Sequence, residues 1–396
     1  MTALKTWLRR ALARPMVRFR TGPPRPGIDH AGLNRQRIAF VKLDGIGDFV
    51  LATTFLQLCR KKLPDADITL FCRKPVGNLA RHQFPGWTVV DLPTRSGPLK
   101  SIYAQGEARR SLKSQRLFDL LVDLRTFRDM ADSAVSSWIP ARTKIALENA
   151  YPESFSWVVL PAEERIFDRL LPLPARVEPG STQDIQNHRR LAEALFPSAP
   201  ECRIALPQMT IGDADRAELS KFLRAQFSFD AERPFLLICP GTSSPMKEYP
   251  TKPLADALEQ VVATHPLPIV IAGGPADART TKPLAAELSG AAEVCDVSGT
   301  LDLARHATLI AMARAVLSMD SCHAHIAGAT GTPAVVVLGR GQFGVFGPWG
   351  ESPNFRWLTA SRTGPQRPFI HEHPLTAEDV APETIAEALI AVMPTP

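Results

Sequence analysis

Three short stretches of this 396-residue chain bring carboxylates, hydroxyls, glycines and cations close enough together to do chemistry. The first, Asp44-Gly45-Ile46-Gly47-Asp48, follows the apolar run Arg37 to Leu43 and precedes a helical pattern. A carboxylate at such a turn either takes the proton of an attacking hydroxyl or satisfies backbone N–H groups at the helix start, and the residues alone leave both readings open for Asp48. The second, Pro240-Gly241-Thr242-Ser243-Ser244 with Lys247, offers backbone N–H groups, two hydroxyls and a cation, a set suited to a diphosphate. Lys247 by itself reads equally as a surface lysine before a helix. The third, Asp320-Ser321-Cys322-His323-Ala324-His325, leads into a helix whose first amides add further donors, with His325 about one turn beyond Ser321.

Two other chemistries fit less well. Gly45 and Gly47 give the first half of a dinucleotide fingerprint, but the third glycine position holds Val50, and Asp44 and Asp48 would repel a pyrophosphate. Cys322, His323 and His325 suggest a metal, yet no partner stands at zinc-site spacing and a helix points His323 away from His325, so no metal is expected there. Arg125 and Arg128, just past a strand end, read either as anion binders or as solvated arginines.

The elements that must position these residues are α/β. Strands are expected at Arg37–Leu43, Ile68–Cys72, Phe118–Leu124, Phe235–Cys239, Ile269–Ala272, Ala315–Ser318 and Val335–Leu338, each a short apolar run of the kind buried in a parallel sheet. Helices are expected from Phe49 to about Lys62, from near Lys252, and from Ala381 to Met393. Ligands of open α/β sheets sit at the carboxyl ends of strands, which is where the three stretches fall. The length suits two such domains after an extension: 1–37 as extension and linker, 38–207 as the first Rossmann-like domain and 208–396 as the second. Residues 140–205 are Pro-rich and resist assignment, so the boundary near 207 is loose.

The formal charge of +6 is concentrated at one end. Residues 1–37 hold nine of the 46 Lys and Arg residues and one of the 40 acids, which leaves the remainder at a net charge of −2 and argues against a nucleic-acid partner. Within that leader, Leu4, Trp7, Leu8, Ala11 and Leu12 recur at helical spacing among arginines, so residues 1–20 read either as a basic amphipathic helix on an anionic membrane face or as a frayed tail. Thr21–Gly27 reads as a linker. No apolar run is long enough to span a bilayer, no secretory signal is apparent, and six scattered cysteines fit a reducing cytoplasm.

Four stretches, in order, resemble one family, the ADP-heptose:lipopolysaccharide heptosyltransferases of glycosyltransferase family nine. They are Ile38 to Thr53 with its Gly47-Asp48 pair; Pro240-Gly241-Thr242-Ser243 with Lys247, Tyr249 and Pro250; Asp320 to Ala327 followed by Gly331-Thr332-Pro333; and Gly347-Pro348-Trp349-Gly350. The resemblance implies a GT-B fold, two Rossmann-like domains facing across a cleft, and inverting transfer without a metal from a nucleotide-diphosphate sugar, ADP-heptose above all. It implies Asp48 as the base, with Lys42, Asp44, Gly47, Arg125 and Arg128 toward the acceptor in the first domain. Toward the donor it implies Gly241, Thr242, Ser243, Lys247, Asp320, Ser321, Cys322 and His325, with Asp277 on the ribose. The expected partners are the nucleotide sugar and a glycolipid or glycan acceptor, with no separate cofactor. The chain departs from the family in having Met319 and Cys322 where Asn and Gly are common, which bears on the sugar. A non-catalytic glycan binder of the same fold, or a nucleotide-sugar epimerase or oxidoreductase, is the alternative.

Overall fold

The apolar runs become the middle strands of two separate parallel sheets. The computed structural model describes residues 17–19, 23, 27–92, 109, 112, 115–128, 130–150, 165–175, 181–244, 247–338, 344–359 and 377–394. The chain divides into two units, Met1–Arg176 with Gln186–Ala205, and Val177–Ile185 with Leu206–Pro396.

In the first unit the strands are β1 (Arg37–Lys42), β2 (Asp67–Arg73), β3 (Thr88–Leu92), β4 (Phe118–Asp123), β5 (Ala141–Leu147) and β6 (Arg169–Leu171). They pair in the order β3-β2-β1-β4-β5-β6, every pair parallel. The helices are α1 (Ile46–Lys62), α2 (Lys74–Gln83), α3 (Met130–Trp138) and α4 (Gln183–Leu195). Residues Phe49 to Leu56 of α1 are all buried, as a helix apolar all round must be. Phe40 of β1 meets Phe55 of α1 edge to face at 5.2 Å, and each such ring is worth about 1.5–3 kcal/mol of burial.

In the second unit the strands are β7 (Leu236–Cys239), β8 (Ile269–Ile271), β9 (Val294–Asp296), β10 (Ala315–Met319), β11 (Ala334–Val337) and β12 (Phe355–Leu358), in the order β12-β11-β10-β7-β8-β9 and again all parallel. The helices are α5 (Asp213–Phe227), α6 (Thr251–Thr264), α7 (Ala278–Leu288), α8 (Leu303–Met312), α9 (Cys322–Thr330) and α10 (Pro382–Val392). One face of the sheet packs Leu254, Leu258 and Val261 of α6 with Ile385 and Leu389 of α10 into a single core.

Counted from its own first strand, each sheet runs 3-2-1-4-5-6, the doubly wound order expected of a Rossmann-like domain. The order reverses between the first and fourth strands, so each unit has a switch point, β1/β4 in one and β7/β10 in the other. All seven strands expected from sequence are present to within a residue at either end. The five others, β3, β5, β6, β9 and β12, were not legible: four are short or lie at an edge, and β5 carries the polar run Arg142-Thr143-Lys144.

α1 begins at Ile46, three residues earlier than the apolar pattern indicates, because Gly45 N–H donates to Asp48 Oδ2 at 2.9 Å and closes the first turn. The expected basic helix of residues 4–12 lies outside the described residues, as does most of the linker. Just after it, Val17 is buried in the core of the first unit and Arg18 N–H donates to Ser137 Oγ at 3.0 Å. Among the described residues, no helix is long and apolar enough to cross a membrane.

Candidate functional site

Each switch point gathers its own set of side chains. At the first, β1 ends on Lys42, whose wholly buried ammonium lies 3.0 Å from Asp44 Oδ2 and 3.5 Å from His188 Nε2 on α4. Burial pushes the Asp44 carboxyl above the usual carboxylate range; Lys42 opposes this and the Asp48 carboxylate adds to it. Asp44 Oδ1 is buried and has no hydrogen-bond partner among the described residues. Asp48 is half-buried in the third position of α1 with its Oδ2 anchored by Gly45, and Gly47 precedes it in the same turn.

β4 delivers Arg125 and Arg128, and neither is a solvated arginine: both are fully buried. Arg125 grips Asp123 through Nε (3.0 Å) and Nη2 (2.7 Å), and Ser136 Oγ donates to the same carboxylate at 2.6 Å. Burial would raise the Asp123 carboxyl, but the Arg125 guanidinium beside it outweighs that and holds it below its ordinary value. Arg128 donates to the carbonyls of Arg125 (2.6 Å) and Leu147 (2.7 Å) and lies over the Phe167 ring. Its guanidinium ties the loop after β4 to the end of β5.

At the second switch point, β7 runs into Pro240-Gly241-Thr242-Ser243. A Cβ on Gly241 would collide with the Asp277 carboxyl group, so glycine is what lets the strand end pass beneath the loop after β8. Asp277 Oδ2 accepts from Gly274 N–H at 2.7 Å and thereby closes its own turn. The Thr242 hydroxyl folds back on its loop, donating to Ser244 O at 2.6 Å, whereas Ser243 is exposed. Tyr249 is buried and donates its hydroxyl to Val380 O at 2.6 Å, ahead of α10, which pins the chain just after Lys247.

Lys247 Nζ lies 2.9 Å from Asp320 Oδ2, so the second and third sequence stretches meet in one ion pair, with Asp320 nearly buried and Lys247 16% exposed. Ser321 caps α9 and shares a hydrogen with His323 Nδ1 at 2.8 Å. Cys322 opens the helix; burial, with Asp277 adding to it, pushes its thiol up to about 12, so it stands as a neutral thiol. His325 Nδ1 accepts from Trp349 Nε1 at 3.0 Å. Indole nitrogen can only donate, so Nδ1 carries the lone pair and Nε2 the proton. Burial pushes His325 down to about 4, with Asp320 opposing and Lys247 adding, and the ring is neutral at physiological pH. Gly328, one turn along α9, leaves room for the Trp349 ring.

Sequence reasoning missed three partners in these sets. His188 reaches Lys42 from 146 residues away with no local signal. Trp349 stands inside the Gly-Pro-Trp-Gly stretch, but its hydrogen bond to His325 joins separate elements and has no local signal. His323 stands neither with His325 nor with Cys322; it stacks on His306 of α8, centroids 4.6 Å apart.

The sequence matches the family described as Glycosyltransferase family 9 (heptosyltransferase) over residues 122–368. Lipooligosaccharide heptosyltransferase 2 of Haemophilus influenzae is 23% identical over 305 residues, 74% of this chain and 80% of that one. Among solved structures, the glycosyl transferase family 9 protein of Veillonella parvula superposes with a TM-score of 0.68 at 16% identity, covering 91% of this chain and 98% of the other. ADP-heptose lps heptosyltransferase II of E. coli gives a TM-score of 0.61 at 18% identity, covering 90% and 98%. Likenesses this distant establish the fold, which is of the GT-B class.

Proposed function

Because the chain belongs to glycosyltransferase family 9, the heptosyltransferase family, we propose that it transfers a heptose or related sugar, with inversion, from an ADP-linked donor to a hydroxyl of a lipopolysaccharide core or similar surface glycan. The observation that carries this reading is what each switch point offers a ligand. The first presents the Asp48 carboxylate at the start of α1 beside the Lys42–Asp44 pair, and the second presents glycine, hydroxyl and lysine donors at a helix start beside Asp320. The named activities of the Haemophilus and E. coli relatives support the choice of sugar, acceptor and nucleotide.

In this mechanism Asp48 accepts the proton of the acceptor hydroxyl as its oxygen forms a bond to the anomeric carbon, and the bond from that carbon to the diphosphate oxygen breaks on the opposite face. Anchoring of Oδ2 by Gly45 holds the base at a fixed angle, and Asp44 Oδ1, buried and without a partner among the described residues, accepts a hydrogen bond from a second acceptor hydroxyl. The Lys42 ammonium opposes the rise that burial imposes on the Asp44 carboxyl, and Arg125 adds to that field. The departing diphosphate takes its stabilisation from the amides of Gly241–Ser243, the start of α9 and the Lys247 cation, which swings from Asp320 to phosphate. No divalent ion is needed on the diphosphate. Neutral His325 offers Nε2–H to the sugar or phosphate, Cys322 bounds the pocket where the family carries glycine, and Asp277 holds the ribose. Basic residues 1–20 keep the enzyme at the cytoplasmic face of the inner membrane, where such acceptors are built.

Incubating the purified chain with ADP-heptose and a truncated core acceptor tests this directly. Expected is ADP release matched by product of inverted anomeric configuration, at a rate unchanged by added Mg2+ or Mn2+. Retention of configuration, or no turnover with any nucleotide-diphosphate sugar, overturns it.

A further inference from the structure

Outside the groups just assigned, the second unit buries a trio that the transfer chemistry leaves unused. Cys239 is the last residue of β7, His306 lies on the inner face of α8, and His323 is the second residue of α9. Their ligand atoms all lie within 4.8 Å of one another, and Cys239 Sγ stands 4.0 Å from His306 Nε2. We propose that Cys239, His306 and His323 bind a transition-metal ion of the zinc type, which pins the root of the donor loop to α8 and α9.

The geometry is close to what such an ion requires. A point within about 2.8 Å of all three atoms exists in the present arrangement, against ligand distances of about 2.0–2.3 Å in zinc sites, so a contraction of less than about 1 Å completes three coordination positions. A thiolate with two imidazoles is the donor set that suits zinc, cobalt or nickel rather than calcium or magnesium. His323 also has the outer partner that metal-bound histidines use: Ser321 Oγ meets Nδ1 at 2.8 Å, which turns Nε2 toward the trio. An ion bound here would displace the thiol proton of Cys239. Without an ion, the contacts described within the trio are one long thiol–imidazole contact and the ring contact of His306 with His323.

Cys239 directly precedes Pro240-Gly241, and His323 follows Asp320-Ser321. An ion here sits under both donor stretches and stiffens them without touching phosphate, so the proposal stands apart from the identity of the sugar or acceptor.

The test uses the full chain, purified without a histidine tag, stripped with chelator, dialysed against zinc and desalted. Elemental analysis should find about one zinc per chain in the wild type and at least about tenfold less in Cys239→Ala and His306→Phe. Cobalt in place of zinc should give the wild type intense tetrahedral visible bands and a thiolate-to-cobalt charge-transfer band, both retained by Cys295→Ala, whose buried cysteine lies outside the trio. A wild type that retains no ion, or a cobalt form without the charge-transfer band, overturns the proposal whatever the variants do. So does undiminished zinc in a folded Cys239→Ala.

Discussion

The two units fold the same way and carry different residues at their switch points. Each has six parallel strands in one order and one switch point, yet the strand entering the first switch point ends in Lys42-Leu43-Asp44 and the strand entering the second ends in Cys239-Pro240-Gly241. Among the ion pairs at these strand ends, Lys42 with Asp44 and Lys247 with Asp320 are single contacts, and one pair differs in kind. Asp123 and Arg125 at the end of β4 are wholly buried, held by two hydrogen bonds between their side chains and by Ser136. Lys247 and Asp320, just past the end of β10, form one contact in which Lys247 stays partly open. A buried bidentate pair fixes a loop, whereas a single, partly open contact can be exchanged for a substrate. Topology thus sets where a site forms, and loop residues set what it does.

The comparison can be broken at several points. Asp48→Ala should lower the transfer rate by about 10²–10⁴-fold while ADP affinity, measured by calorimetry, stays within about twofold, because the base acts only as the bond forms. A near-normal rate would remove the proton acceptor from the first unit. Asp123→Ala should cost about 3–5 kcal/mol in urea unfolding, since it leaves the Arg125 charge buried without its counter-ion.

The acid limb of that experiment has a fixed sign. The folded Asp123 carboxyl lies below its unfolded value, so the pair's stabilisation is full above an unfolded value of about 3.9 and disappears as pH falls through the folded one. The gap between wild type and variant should therefore close in acid, and a constant gap would assign the loss to packing instead.

Smaller effects sharpen the second unit. Lys247→Ala should weaken ADP binding about tenfold or somewhat more and adenosine binding by less than about threefold. Equal losses would place Lys247 away from phosphate. Trp349→Phe removes the hydrogen bond to His325 and should cost about 1 kcal/mol of stability while the donor KM rises only slightly. With His325 at about 4, donor affinity should show no histidine titration between about pH 5.5 and 8; an inflection near 6.5 would mean that the ring is not held neutral.

Much of this was readable in the chain itself. Seven central strands, the helices after β1 and β7, and the clustering of Asp44, Asp48, Gly241, Lys247, Asp320 and His325 at strand ends follow from apolar runs broken by glycine and aspartate, because a buried parallel strand admits little else. The edge strands did not announce themselves, being short and half polar. Nor did the burial of Arg128, whose partners are backbone carbonyls and carry no sequence signature.

By itself, then, the sequence determined the fold class, the family and the stretches that carry chemistry, since those depend on residue type at local spacing. Tertiary structure alone decided the pairings: Lys247 with Asp320, Lys42 with His188, Trp349 with His325, and His323 with His306 and Cys239. Each joins residues from separate elements, and contacts of that kind exist only once the sheet order has brought their strand ends together.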